Sequence, residues 1–284
     1  MKTLEPATLS VDIGGSELRY LYYAGGDSTI IMMHATGFMP WMWHPIAREL
    51  AGEYTIIAPY FCDHRTVEPE DGGLAWMLLA EDLCGLCKQL DVKEPLLVGH
   101  SMGATVMTLA NAAHGTIAKK MVLIEPIFLP EDFYRVSITV DQHPLASKSI
   151  KRKNFWENTE EARAYLRSRE LFRRWDDEML DIYINRGMTG ADSGGLQLVC
   201  SPRSEASLFM GGMKYDPWPL LPGIHCPVLV VEGEKSENRS FIDLKKASSL
   251  FPKGSYLLIE EAGHLIPMEK PAVITGVIKK FFNR

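Results

Sequence analysis

The sequence predicts an α/β protein, a mostly parallel β-sheet covered by helices on both faces and interrupted by one helical insertion. Three observations predict it. Short apolar runs alternate with longer segments whose apolar residues recur every three to four positions. That alternation stops once, between Glu125 and Gly223, and then resumes. A chain of 284 residues is long enough to bury a sizeable core as one large domain carrying an insertion.

The runs at 18–23, 29–33, 54–58, 95–98, 120–124, 227–231 and 255–259 are of strand length, and most are too short to be helices. Between them, 76–90, 103–113, 243–250 and 272–282 show helical spacing and are expected to pack on the sheet. Residues 1–126 and 223–284 are therefore expected to form the core, and 127–222 a helical cap. Within the cap, Asn158 ahead of Thr159, Glu160 and Glu161 marks a helix start with an acidic first turn. Asp176 opens a second such segment, DDEMLDIYINRG, closed by Gly187. Phe133, Tyr134, Phe155, Trp156, Phe172 and Trp175 supply aromatic surface, while KSIKRK at 148–153 reads as a solvated basic face.

The formal charge of -6, from 30 basic and 36 acidic residues, argues against a nucleic-acid surface, which needs a basic stripe. A small-molecule substrate is the expected partner. Five scattered cysteines do not read as a disulfide framework and favour a reducing compartment. The opening MKTLEPATLSVDIGG has no apolar signal-like core, and no stretch approaches the roughly 18 apolar residues of a membrane span. A cytoplasmic protein is the expectation, with room left for a homo-oligomer. Cys84 and Cys87 form C-G-L-C inside a helical segment with no second pair to complete a zinc site, so they read as core. No metal, nucleotide or other cofactor is implied. Of 14 methionines, Met32, Met33, Met39, Met42, Met102 and Met107 lie near the motifs described next, as core filling or as an adaptable pocket wall.

The decisive motif is GHSMG, Gly99 to Gly103, set between the apolar run PLLV and the helix-like ATVMTLANAA. A serine held in a tight strand-to-helix turn needs glycine two positions before and after, because side chains there would strike the neighbouring strand and helix. Ser101 then stands at the carboxyl edge of the sheet as a nucleophile. The free N–H of Met102 and the positive end of its helix face a developing oxyanion. A serine hydroxyl needs a base. Of eight histidines, His264 in EEAGHLIPMEKP follows the last strand and precedes the last helix, which places it on a loop at the same edge. His100 stands beside the nucleophile but points elsewhere in the turn. His34 opens HATGF right after a strand, where a glycine-containing loop can offer a second oxyanion N–H: Phe38 is the first choice, with Ala35 and Thr36 as alternatives.

These pieces, in this order, resemble the α/β-hydrolase family over nearly the whole chain: HATGF, the GHSMG elbow, a cap-sized insertion, PVLVVEGE as a late strand, and AGHLIPMEKP. The resemblance implies an eight-stranded, mostly parallel sheet with a lid, and hydrolysis through an acyl-enzyme without a cofactor. Two departures stand out. The D-R-G-x-G-x-S stretch of many relatives is here PYFCDHRTVEPEDGG, and the position where relatives carry their acidic residue, three after Gly233, is Ser236.

The acid that orients His264 therefore has two candidates. Glu237 lies one residue past the usual place, with a longer side chain. Glu125, in LIEPIFLP, follows an earlier strand and stands 24 residues beyond Ser101, as the corresponding glutamate does in haloalkane dehalogenases, which this context resembles. Either can accept the second N–H of the histidine; Glu125 is the first choice and Glu237 the alternative. A dehalogenase or epoxide hydrolase is excluded by the nucleophile, since both need an aspartate there. Ser101 points to acyl transfer. The expected activity is a serine hydrolase cleaving a carboxylic ester of a small or apolar acyl group. The alternatives are a lactonase, a thioesterase, a carbon-carbon bond hydrolase, or, from another class, a ligand receptor with vestigial hydrolase activity.

Overall fold

A computed structural model describes residues 4–114 and 118–283. Eight strands form one sheet: β1 (Ala7–Asp12), β2 (Glu17–Tyr23), β3 (Thr29–Met33), β4 (Thr55–Pro59), β5 (Leu96–His100), β6 (Lys120–Ile124), then, past the insertion, β9 (Val228–Gly233) and β10 (Gly254–Ile259). The strand order is β1-β2-β4-β3-β5-β6-β9-β10. The first two pairs, β1 with β2 and β2 with β4, are antiparallel, and the other five are parallel. All seven runs expected from the sequence are strands of this sheet. The unforeseen one is β1, an edge strand whose residues ATLSVD are mostly exposed and so lack an apolar run.

Burial follows position in the sheet. The strands β3, β5 and β6 are buried almost throughout, because helices cover both faces. Those helices are α1 (His44–Leu50), α2 (Trp76–Gln89), α3 (Met102–Ala113) and, beyond the insertion, α9 (Leu244–Leu250), α10 (Ile266–Glu269) and α11 (Pro271–Phe282). Cys84 and Cys87 lie on α2 and pack in or against the main core. The order reverses between β3 and β5: the chain leaves β3 toward β4 on one side and returns to β5 on the other. Open α/β sheets bind ligands at the carboxyl ends of strands that flank such a reversal. Here Met33 at the end of β3 is in register with Gly99 in β5, so HATGF and GHSMG emerge side by side.

Between β6 and β9 the chain runs through α4 (Ala146–Ile150), α5 (Thr159–Arg167), α6 (Glu170–Arg173), α7 (Asp177–Gly187) and α8 (Pro202–Gly211). Asn158 caps α5 by accepting the N–H of Glu161 at 2.9 Å, and Asp176 caps α7 by accepting that of Glu178 at 2.9 Å. The segment is not wholly helical. A short antiparallel hairpin, β7 (Met188–Gly190) with β8 (Leu196–Leu198), turns through Gly194 and Gly195, both at positive φ. Its residues Met188 and Leu198 join Trp156, Phe172, Trp175, Met179 and Tyr183 in a second apolar cluster, which also takes in Ala35 and Phe38 of the HATGF loop, Leu265 of the loop after β10 and Met268 of α10. The basic run 148–153 is not uniformly solvated either. Arg152 is held between Glu205 and Tyr183.

Candidate active site

Ser101 sits at φ 53, ψ -117, between β5 and α3. Such a backbone is costly for a residue with a Cβ and persists only where its surroundings enforce it. They do so here through the two glycines. A Cβ at Gly99 would stand 2.6 Å from the backbone of Ala104, and one at Gly103 would stand 2.4 Å from the carbonyl oxygen of Met33. The N–H of Ser101 donates to Ile124 at 2.9 Å, which ties the turn to the next strand. Thr105 on α3 extends that tie: its hydroxyl accepts the N–H of Ile127 at 2.9 Å, joining the elbow helix to the turn that carries Glu125.

His264 lies between β10 and α10. Its Nε2 is 3.1 Å from Ser101 Oγ, and its Nδ1 is 2.9 Å from Glu125 Oε2. The loop is braced twice, by the Gly263 N–H donating to Glu269 at 2.8 Å and by His100, whose Nε2 lies 2.9 Å from the His264 carbonyl oxygen. Burial pushes the His100 pKa down to about 3, aided by its neighbour His264, so its imidazole is neutral and donates to that oxygen through Nε2. His100 does not contact the Ser101 hydroxyl; it supports the loop that carries His264.

Glu125 is the residue immediately after β6, at φ 50, and is fully buried. Every oxygen is used. Oε1 accepts the N–H of Gly233 at 2.6 Å, and Oε2 accepts the Ser236 hydroxyl at 2.7 Å as well as the imidazole N–H. An acceptor-only carboxylate among three donors fixes the proton on Nδ1 of His264 and leaves Nε2 free to accept from Ser101. Asn238 brings its side-chain amide to 3.0 Å from the same Nδ1. Since that nitrogen already carries a proton, the amide oxygen is the atom that can face it favourably.

The three glutamates at 230–240 go elsewhere. Glu237 is exposed and, among the described residues, no hydrogen bond joins it to His264; the turn at Glu237–Ser240 directs Asn238 inward instead. The alternative acid is therefore not in place. Glu232 pairs with Arg239 at 2.7 Å and accepts the Tyr256 hydroxyl, while Glu234 accepts the Glu261 N–H at 3.0 Å.

The HATGF loop differs from expectation in one residue. The N–H of Phe38 donates to the carbonyl oxygen of Ala35 at 3.2 Å, closing the turn on itself, so Phe38 cannot offer it to a substrate. The same oxygen accepts the Nδ1–H of His34 at 2.8 Å, and His34 Nε2 accepts the Phe61 N–H at 3.0 Å. Burial holds the His34 pKa down at about 4, which keeps both contacts intact at neutral pH. His34 thus staples the loop, and the N–H groups of Ala35 and Thr36 make no protein hydrogen bond among the described residues. The Phe38 ring packs on Trp175 and Tyr183 at centroid distances of 5.6 and 5.7 Å. Of the methionines, Met42 lies in that cluster, whereas Met32, Met33, Met102 and Met107 fill the main core.

Sequence reasoning had no signal for the support given by His100, Asn238 and Gly233. For Ser236 it had one, a hydroxyl at the position where relatives carry the acid.

Comparisons with known proteins agree with the fold. The chain is 25% identical over 273 residues, 96% of its length and 94% of the relative's, to 2-(acetamidomethylene)succinate hydrolase of Mesorhizobium japonicum. Among solved structures it resembles E-2-(acetamidomethylene)succinate hydrolase with a TM-score of 0.80 at 22% identity, covering 99% of this chain and 100% of that one. It also resembles the thioesterase domain from the curacin biosynthetic pathway, with a TM-score of 0.78 at 17% identity over 96% and 99% of the two chains. Residues 30–276 match the model of the alpha/beta hydrolase family, and with hydrolases among its relatives the chain belongs to that family as a hydrolase.

Proposed function

We propose that the protein is a serine hydrolase that cleaves small carboxylic esters through Ser101, His264 and Glu125. The observation that carries this reading is the unbroken chain of contacts from Ser101 Oγ to His264 Nε2 at 3.1 Å and from His264 Nδ1 to Glu125 Oε2 at 2.9 Å. Ser101 Oγ attacks the acyl carbon while its proton passes to His264 Nε2. The imidazolium that forms is held by Glu125. The tetrahedral oxyanion accepts the N–H of Met102, at the start of α3, and an N–H of Ala35 or Thr36. When the bond to the leaving oxygen breaks, His264 Nε2–H protonates the departing alcohol. Water then gives a proton to His264, its oxygen bonds to the acyl carbon, and Ser101 leaves with the proton returned. One ester and one water yield one acid and one alcohol.

Residues 127–222 act as the lid over the core formed by 1–126 and 223–284. The cluster that joins Trp175 and Tyr183 to Phe38 and Leu265 supports this, and the low exposure of Ser101, 6%, favours small substrates. A cytoplasmic setting, argued from the scattered cysteines, goes with this reading. No helix among the described residues is long and apolar enough to cross a membrane.

A second reading, cleavage of a small amide, is favoured by the similarity along 96% of the chain to a hydrolase named for an acetamido substrate. The same groups serve it, with nitrogen as the leaving atom. Lactones, thioesters and activated carbon-carbon bonds are open to the same chemistry. The test is a burst of p-nitrophenol from p-nitrophenyl acetate or butyrate, lost in Ser101→Ala, followed by a panel of esters, amides, thioesters and lactones. Turnover that survives Ser101→Ala would contradict the covalent route.

A further inference from the structure

Three residues of the segment between β6 and β9, Glu205, Arg152 and Tyr183, form a connected group against the HATGF loop. Glu205 of α8 is buried, and its carboxylate lies against Gly37 so closely that a Cβ there would stand 2.2 Å from Oε1. Gly37 holds φ at 78, a conformation that L side chains rarely adopt. The other oxygen, Oε2, accepts from Arg152 Nη1 at 2.6 Å, and Arg152 Nη2 donates to the Tyr183 hydroxyl at 3.2 Å. Tyr183 in turn packs on Phe38, at the end of the same loop. Helix α8 is fixed to the core beside it, because the Leu74 N–H donates to Ser207 Oγ at 3.0 Å and that hydroxyl donates to the Val67 carbonyl.

A buried carboxylate beside the loop that receives an oxyanion presents an electrostatic problem. Two negative charges close together in a low-dielectric site repel, and the second exists only in the tetrahedral state. The repulsion would therefore raise the barrier rather than weaken ground-state binding. An arginine paired with the carboxylate removes it.

We propose that Arg152 is a positioning residue for catalysis, which neutralises Glu205 and thereby keeps the HATGF loop receptive to the oxyanion. The pair has two further consequences. It ties the lid to the oxyanion loop, so that the loop is electrostatically complete only when Arg152 is seated. It also explains why Arg152 is turned inward, with its side chain 23% exposed, while Lys148, Lys151 and Lys153 of the same run stay exposed.

The proposal rests on the oxyanion role of residues 34–38, and its test is read on turnover first shown to vanish in Ser101→Ala. With p-nitrophenyl butyrate as probe, Arg152→Gln is expected to lower kcat about tenfold or more with KM little changed. Arg152→Lys, which keeps the charge, is expected to retain most of kcat. The double variant Arg152→Gln/Glu205→Gln, neutral at both positions, is expected to recover most of the loss. If Arg152→Gln fails to fold, the double variant carries the test alone, since a near-native kcat there is the predicted result. An unchanged kcat in a folded Arg152→Gln, or a double variant as slow as the single or slow on its own, overturns the assignment. Persistence of the Ser101-dependent burst in that outcome shows that the hydrolase reading stands and only the role of Arg152 has failed.

Discussion

The turns after β6 and after β9 end side by side, yet they contribute opposite chemistry. The chain leaves β6 through a strained residue that itself delivers a carboxylate, Glu125 at φ 50, directly from the strand end. The end of β9 and the turn after it carry Glu232, Glu234 and Glu237, but they deliver donors: the Gly233 N–H and the Ser236 hydroxyl, both bonded to Glu125. The carboxylate beside His264 is thus set by which side chain arrives at Nδ1, and not by which strand end is richer in acids. A carboxylate on one strand has been matched by a hydroxyl where the other strand would have placed its own.

The sharpest way to break this comparison is to remove each acid in turn. Glu125→Gln is expected to lower kcat/KM roughly a thousandfold or more, because the imidazole loses the acceptor that sets its tautomer. Glu237→Gln, an exposed substitution, should leave kcat/KM within about twofold. Steady-state hydrolysis of p-nitrophenyl butyrate reads both.

Moving the acid is the next test. In the Glu125→Gln background, Ser236→Asp should restore at least about tenfold of the lost rate, since an acceptor again reaches the same nitrogen from the other turn. In the native background the same aspartate would face Glu125, and the two carboxylates would oppose each other. Lower stability and slower turnover are expected there.

Smaller effects follow from the supporting donors. Ser236→Ala leaves a buried oxygen of Glu125 with one donor fewer and should cost about 1–3 kcal/mol of stability, read from the denaturant midpoint, with a modest fall in kcat. The sheet-edge histidines give a pH signature. Burial lowers the His34 pKa to about 4 and the His100 pKa to about 3, so between the unfolded value of 6.5 and these the unfolded chain binds more protons than the folded one. Stability is therefore expected to fall as pH drops from 6.5 toward 4, by on the order of a few kcal/mol. His34→Asn should flatten that slope, and a melting series across the window checks it.

Much of the sheet was legible because its strands are buried on both faces and read as unbroken apolar runs, whereas β1, an exposed edge, carried no such signal. Ser101 and His264 were legible for a related reason: each sits in a turn whose neighbours constrain it, the first between glycines and the second between the last strand and helix. What the sequence could not convey depends on contacts across the chain. Phe38 was favoured as an oxyanion donor, but the closed turn to Ala35 that uses its N–H is invisible in composition. Arg152 read as part of a solvated run because its partner, Glu205, lies 53 positions away.

The most direct test of Glu125 as the orienting acid is the proton it holds. A far-downfield imidazole N–H resonance, assigned to His264 Nδ1, is expected in the native protein at low temperature and should persist in Glu237→Gln. Its disappearance or large upfield shift in Glu125→Gln is the predicted result. An unaltered resonance in folded Glu125→Gln, with loss in Glu237→Gln, would contradict the account.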